Sequence, residues 1–170
     1  ARISVTELSK LHGPRWGDAS LSKIDWLQRR DADDAARLEG LYAMVKPGFL
    51  AVHGEAIRRE CGEEGIAFIE TLGTMMTRYV NAKDEPFTVT HGDYRLDNLL
   101  FATPAGGVAC AVVDWQTPGH GNGVADLAYF IGAGLLPEDR RAHEWELVDL
   151  YIAGLESYGH EIIHDWIRNH

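Results

Sequence analysis

Residues 91–101 read HGDYRLDNLLF, and residues 111–116 read AVVDWQ. Asp93 and Asn98 lie five positions apart, and Asp114 follows sixteen positions after Asn98. Phosphoryl transfer to an alcohol needs a carboxylate that aims the hydroxyl group and accepts its proton. It also needs hard oxygen ligands for Mg²⁺, which carboxylates and amide carbonyls supply. The pattern therefore predicts Asp93 as the catalytic base, and Asn98 and Asp114 as the metal ligands.

The residues around this pattern predict the local structure that would hold it. Apolar runs at 99–102 and 108–113 flank the turn-forming residues TPAGG at 103–107, which is typical of a β-hairpin. Protein kinases have the same five-step spacing in their catalytic loop, and a second metal-binding aspartate follows it. Arg95 is a candidate catalytic residue, because a cation two positions beyond the base can meet the transferring phosphoryl group. A surface ion pair is the alternative for Arg95. His91 is expected to support the loop structurally, through ring hydrogen bonds and packing.

HGDYRLDNLLF followed by AVVDWQ resembles the aminoglycoside phosphotransferase-like superfamily. This group includes aminoglycoside, macrolide, choline and ecdysteroid kinases, and the kinase-like domains fused to some acyl-CoA dehydrogenases. The residues of these two stretches are most similar to those of a branch of the superfamily whose substrates are unassigned. The resemblance implies an α+β fold, the mostly helical C-terminal lobe of a protein-kinase-like domain, with a small β-hairpin carrying the catalytic loop. It also implies that Asp126, in the stretch GVADLA, braces the catalytic loop through backbone hydrogen bonds.

The same resemblance raises an expectation about completeness. The N-terminal lobe of the superfamily carries a phosphate-covering loop and a lysine that pairs with the α- and β-phosphates, whereas residues 1–90 of this chain read as helices. We therefore expect residues 1–170 to be the catalytic lobe alone, with the ATP-binding lobe absent and the C-terminal end cut. The missing lobe would then be a partner of this chain, and the isolated chain would be inactive.

Elsewhere the sequence reads as mostly helical, with one small β element in the middle. Apolar spacing predicts helices over residues 5–11, 22–30, 33–44, 63–81 and 126–133, and a further helix from Pro137. The second and third of these lie before Pro47-Gly48, which is predicted to stop the third.

Two short motifs suggest other chemistry. The stretch GHGNG at 119–123 follows a strand and precedes a helix, but a dinucleotide-binding loop would need Gly or Ala at Val124. We expect a flexible segment there. HEIIH at 160–164 matches the HExxH zinc pattern, yet a catalytic zinc needs a third protein ligand. An amphipathic helix with outward polar residues is the simpler interpretation.

The overall composition narrows the possible partners. The 170 residues carry a formal net charge of −10, with a pI of about 5.2, which argues against nucleic acid or an anionic membrane as the main partner. No apolar run is long enough for a membrane span. Cys61 and Cys110 have no metal-binding spacing, so a reducing compartment and a cytoplasmic location are expected.

These observations predict an enzyme that moves the γ-phosphoryl group of ATP to a hydroxyl of a small molecule, with Mg²⁺ as cofactor. Two alternatives stay open: a non-catalytic, pseudokinase-like binding module, and a metal-dependent hydrolase with a denser ligand shell. The acidic residues between 60 and 84 would suit a cationic acceptor, but a solvated helix face has the same composition.

Overall fold

The computed structural model describes residues 1–27, 29, 32–75, 78–79, 85–162 and 167. The chain divides into two compact units, residues 1–29 with 85–170, and residues 30–84. The described helices are α1 (Arg2–His12), α2 (Ala32–Leu72), α3 (Gly123–Gly134) and α4 (Pro137–Glu156). The described strands are β1 (Thr88–Thr90), β2 (Leu99–Thr103), β3 (Gly106–Val112) and β4 (Gly119–Gly121). This mostly helical architecture with a small antiparallel hairpin confirms the predicted α+β, kinase-like class.

Two small antiparallel sheets hold the two ends of residues 91–98, which we call the catalytic loop. The predicted hairpin is confirmed as β2 and β3, with Leu99 opposite Val112. β1 pairs with β4, so that Thr90 lies opposite Gly119. The catalytic loop runs from β1 to β2, and its geometry therefore depends on both sheets.

The glycine-rich segment before α3 was predicted to be flexible, and this is wrong for Gly119–Gly121, which forms β4. The side chain of Thr90 donates a hydrogen bond to the carbonyl of Gly119 at 3.2 Å. Pairing with β1 therefore satisfies backbone groups that would face water in a loop. The helix that follows begins at Gly123, earlier than predicted, because the Asn122 side chain caps it by accepting from the Val124 N–H at 2.9 Å.

The core of the first unit lies between α1, α3 and α4. Its buried side chains include Val5, Leu8, Leu127, Phe130, Leu147, Tyr151, Ile152 and Leu155. Tyr94 brings the catalytic loop into this core: it is fully buried, its ring packs 5.9 Å from that of Phe130, and its hydroxyl donates to the Ser4 carbonyl at 2.7 Å. Burying a large apolar side chain contributes about 1.5–3 kcal/mol, so the core anchors the loop directly.

The helix predicted over residues 22–30 is wrong for the described part of that range. A 3₁₀ turn over Ala19–Lys23 includes the first two residues of that range. Asp18 caps this turn by accepting from the backbone N–H of Ser20 at 2.9 Å and from its hydroxyl at 2.6 Å. Short polar side chains that bond to nearby backbone favour turns over helices, and the described residues that follow are not helical.

The second unit is built from α2, which passes through Pro47, so the predicted stop is wrong. The helix breaks instead at Gly62, whose φ of 66° lies in the left-handed region that glycine tolerates. Bonds join the two arms on either side: the Tyr42 hydroxyl donates to the Ile69 carbonyl at 2.7 Å, and Lys46 pairs with Glu70. The helix predicted over 63–81 is α-helical to Leu72, while residues 76–77 and 80–81 lie outside the described residues.

Within the part of the chain that the structure describes, no helix is both long enough and apolar enough to cross a lipid bilayer.

The burial of Tyr94 predicts how the free energy of unfolding depends on pH. Burial raises the pKa of Tyr94. In the unfolded chain this phenol would ionise near pH 10. Above that pH the unfolded state loses its proton first, so the stability contributed by the neutral phenol declines as pH rises towards the raised folded-state pKa. We expect the urea midpoint to fall between pH 9 and pH 11.

Tyr94→Phe should make this fall shallower, although its midpoint at neutral pH drops because the bond to Ser4 is lost, at about 1 kcal/mol. Tyr158→Phe serves as the control, because it removes the same hydroxyl group from a side chain that is exposed. Equal slopes for Tyr94→Phe and wild type would contradict this prediction.

Candidate active site

Asp126 fixes the start of the catalytic loop. Its carboxylate accepts hydrogen bonds from the backbone N–H of His91 at 2.6 Å and of Gly92 at 2.9 Å. Gly92 has a φ of 82°, and a Cβ there would lie 2.3 Å from the Thr117 carbonyl oxygen. Only glycine fits this close approach. The backbone immediately before Asp93 is therefore held on one side by the Asp126 carboxylate and confined on the other by the Thr117 carbonyl.

The His91 side chain links the catalytic loop to Val113, the residue between β3 and Asp114. Its ring is fully buried, and Nδ1 accepts from the Asp93 N–H at 3.3 Å. The proton then resides on Nε2, which donates to the Val113 carbonyl at 3.0 Å. Trp115 packs against the ring at 4.6 Å between centroids. A neutral imidazole thus sets the distance between the backbone of Asp93 and that of Val113.

The carboxylate of Asp93 is held on one side and open on the other. Asn98 Nδ2 donates to Asp93 Oδ2 at 3.0 Å and to the Asp93 carbonyl at 2.9 Å. The Asp93 side chain is 33% exposed, which leaves it accessible to a ligand. Tyr129, on α3 one turn after Asp126, lies close enough to the same carboxylate to interact with it electrostatically. Burial and the Asp93 charge raise the pKa of this phenol, so it keeps its proton and can donate.

The chain segments that carry Asn98 and Asp114 are joined at the open end of the hairpin. The Val113 N–H donates to the Asn98 carbonyl at 3.0 Å, which places Asp114 one residue beyond the last bond between the two segments. Asp114 has a φ of 63°, a rare conformation for a residue with a side chain. Such outliers cluster at functional sites. The hairpin is therefore followed by Asp114, whose backbone is left-handed, next to the catalytic loop.

The donor set of these two residues fits Mg²⁺. Asn98 uses its Nδ2 to hold Asp93, so those bonds leave its amide oxygen for a cation, and Asp114 adds an exposed carboxylate. The described residues contain no group of three or more His, Cys, Asp or Glu side chains arranged for a metal. Mg²⁺ does not require one, because it is usually held by one or two protein groups together with substrate phosphates and water.

Arg95 makes ion pairs in the structure. Its guanidinium lies 3.4 Å from Asp93 Oδ2 and 3.5 Å from Asp97 Oδ2, and its side chain is 47% exposed. This geometry matches the ion-pair alternative for Arg95, and exposed pairs of this kind contribute about 0–1 kcal/mol. A contact with the phosphoryl group stays a prediction.

Three residues near the site escaped the sequence analysis. Tyr129 lies three positions after Asp126, on the same helix face, and this spacing is the one signal that could have indicated it. His12 and Tyr151 are 139 positions apart, yet His12 Nδ1 lies 2.6 Å from the Tyr151 hydroxyl, and His12 Nε2 lies 3.3 Å from Asp126 Oδ2. No local pattern reveals such a contact.

The HExxH segment does not have the helical start that both of its interpretations assumed. Residues 160–162 are not helical, and His160 Nε2 donates to the Gly13 carbonyl at 2.6 Å. His164 lies outside the described residues.

Comparison with known proteins identifies the family of the chain. A stretch of residues 75 positions long is 37% identical to acyl-CoA dehydrogenase family member 10 of Mus musculus, covering 42% of this chain and 7% of that protein. The chain thus spans a small part of the length of the relative it matches. The model of the ecdysteroid kinase-like family matches residues 47–162, a range that contains the catalytic loop, the hairpin and Asp126. The chain therefore belongs to the ecdysteroid kinase-like family, within the aminoglycoside phosphotransferase-like superfamily that its sequence resembles.

Proposed function

We propose that the complete protein transfers the γ-phosphoryl group of ATP to a hydroxyl group of a small molecule, with Mg²⁺ as cofactor. One observation carries this proposal: Asp93, Asn98 and Asp114 converge at the open end of one hairpin, in a chain of a kinase-like family.

Asp93 is proposed as the base. Asn98 and Arg95 both approach Oδ2, which orients the carboxylate while its exposed side remains accessible. The acceptor hydroxyl would donate to this carboxylate, its oxygen would bond to the γ-phosphorus, and the bond from that phosphorus to the β–γ bridging oxygen would break. The hydroxyl proton passes to Asp93, and ADP leaves with the bridging oxygen.

Asn98 and Asp114 are proposed to hold the cofactor. Mg²⁺ bound there would neutralise charge on the phosphates. Asn98 bonds to Asp93 directly, and Val113, the residue before Asp114, bonds to the backbone of Asn98 and to the ring of His91. A shift of Asn98 would therefore also displace Asp93.

The hairpin carries exposed apolar side chains that a nucleotide or a second lobe could cover. Leu100, Phe101 and Val108 are 57%, 43% and 68% exposed on these two short strands. Exposed apolar patches commonly mark ligand or protein contacts. We propose that the complete protein contains an N-terminal lobe that covers this surface and grips the ATP phosphates.

The experiment is a turnover assay of the complete protein with ATP, Mg²⁺ and a panel of alcohols. The panel includes a hydroxylated steroid, suggested by the family's name, and an aminoglycoside, suggested by the net charge of −10. ADP and phosphorylated alcohol should form in equal amounts, and EDTA should stop both. Free phosphate in place of phosphorylated alcohol would indicate a hydrolase. Nucleotide binding without turnover across the panel would indicate a binding module.

A further inference from the structure

A buried chain of hydrogen bonds connects α4 to the catalytic loop. The Tyr151 hydroxyl lies 2.6 Å from His12 Nδ1, and His12 Nε2 lies 3.3 Å from Asp126 Oδ2. The same Oδ2 accepts from the His91 N–H at 2.6 Å, while Oδ1 accepts from the Gly92 N–H. Tyr151 and His12 are fully buried, and Asp126 is 3% exposed.

One placement of protons satisfies every member of this chain. The Asp126 carboxylate accepts from two backbone N–H groups, so it also accepts from His12, whose Nε2 carries the proton. His12 Nδ1 is then an acceptor, and the Tyr151 hydroxyl is its donor. Burial and the negative charge of Asp126 raise the pKa of Tyr151, which keeps the phenol protonated and able to donate.

The backbone of Gly123 packs closely against the Tyr151–His12 contact. A Cβ on Gly123 would lie 2.7 Å from His12 Nδ1, 2.8 Å from the Tyr151 hydroxyl and 3.0 Å from a methyl carbon of Thr88. The Thr88 hydroxyl donates to the His12 carbonyl at 2.8 Å. Gly123 is also the first residue of α3, the helix that carries Asp126. The contact between Tyr151 and His12 thus sits where α1, α3, α4 and β1 meet.

We propose that His12 and Tyr151 are positioning residues that act on the reaction through Asp126. Asp93 follows Gly92 directly. The hydrogen bonds from the backbone of His91 and Gly92 to the Asp126 carboxylate therefore determine the position of Asp93, the proposed base. A displacement of about 1 Å at a reacting group can lower the rate about 100-fold. This inference rests on the proposed function for its effect on catalysis, whereas the hydrogen-bond chain itself can be tested without activity.

The first test measures the chain of bonds in the 170-residue protein by NMR. We expect the ¹⁵N shifts of His12 to show a protonated Nε2 and an unprotonated, hydrogen-bonded Nδ1. Amide exchange at His91 and Gly92 should be among the slowest in the molecule, and Tyr151→Phe should accelerate it at least about tenfold relative to amides of β3. The opposite tautomer, or unchanged exchange in Tyr151→Phe, would overturn the proposal.

The second test measures catalysis in the complete protein with its acceptor. Tyr151→Phe should lower kcat about 10- to 100-fold, with KM for MgATP within about twofold of wild type, and His12→Gln should do the same. Tyr158→Phe is the matched control, because it removes a phenol from an exposed residue just beyond α4. Loss of stability with kcat unchanged per folded molecule would reduce both residues to a structural role and refute the proposal. An inactive wild type would refute the proposed function alone, since the NMR result stands by itself.

Discussion

Asp114→Ala in the complete protein is expected to abolish phosphoryl transfer. The substitution removes a full negative charge from the proposed Mg²⁺ site, where charge dominates binding of a hard cation. Asn98→Ala removes a neutral carbonyl and should leave a small residual activity. High Mg²⁺ or Mn²⁺ should restore that activity only in part, because Asn98 also holds the carboxylate and the carbonyl of Asp93. Activity is measured as phosphorylated product over a range of metal concentrations.

A second substitution separates the charge from the backbone at this position. Asp114 has a left-handed φ of 63°, which costs an alanine about 1–2 kcal/mol but is tolerated by asparagine. Asp114→Asn therefore removes the charge with little strain and should be nearly as inactive as Asp114→Ala. Asp97→Ala is the control, since it removes a mostly exposed carboxylate from the same loop. Wild-type activity in either Asp114 variant would remove this residue from the site.

Asp93→Asn should lower kcat at least about 100-fold, the lower end of the range for loss of a general base. The asparagine side chain keeps the size of the aspartate and can still accept from Asn98 Nδ2, but it cannot take the proton of the acceptor. The dissociation constant of MgATP should stay within a few-fold of wild type, because Asn98 and Asp114 are the proposed metal ligands. kcat is measured with the true acceptor, and MgATP affinity by calorimetry.

Asp97→Asn is the matched control for this variant, as it neutralises a neighbouring loop carboxylate that also pairs with Arg95. It should retain nearly full kcat. Survival of kcat in Asp93→Asn, or collapse of MgATP binding together with kcat, would show that Asp93 is not the base.

The elements that the sequence predicted correctly are those with a local signature. The hairpin follows from two apolar runs around a Gly- and Pro-containing turn, and the structure places it at Leu99–Val112. The proximity of Asn98 to Asp93 and to the hairpin exit follows from the same short stretch, since Asp93 lies five positions before Asn98 and one hairpin separates Asn98 from the exit. Short-range spacing is therefore sufficient to predict that these segments lie side by side, while the roles of base and metal ligand stay predictions.

What the sequence could not predict depends on contacts between distant residues. His12 has no local pattern, and its partners Asp126 and Tyr151 lie 114 and 139 positions away. The prediction that a helix would stop at Pro47 was wrong for a related reason. A proline inside a helix costs about 3 kcal/mol, but bonds from Tyr42 and Lys46, which both precede the proline, tie this part of the helix to the opposite arm. Gly62, which looks unremarkable in sequence, supplies the break through its left-handed φ.

The stereochemical course of transfer tests the central claim most directly. If Asp93 aims the acceptor hydroxyl at the γ-phosphorus, one in-line displacement occurs, and each such displacement inverts the configuration at phosphorus. The complete protein is given ATP whose γ-phosphoryl group is chiral in oxygen isotopes, and the phosphorylated acceptor is analysed. We predict inversion. Retention would mean two displacements through a phosphorylated enzyme group, with a carboxylate such as Asp93 acting as nucleophile, and would contradict its role as the base.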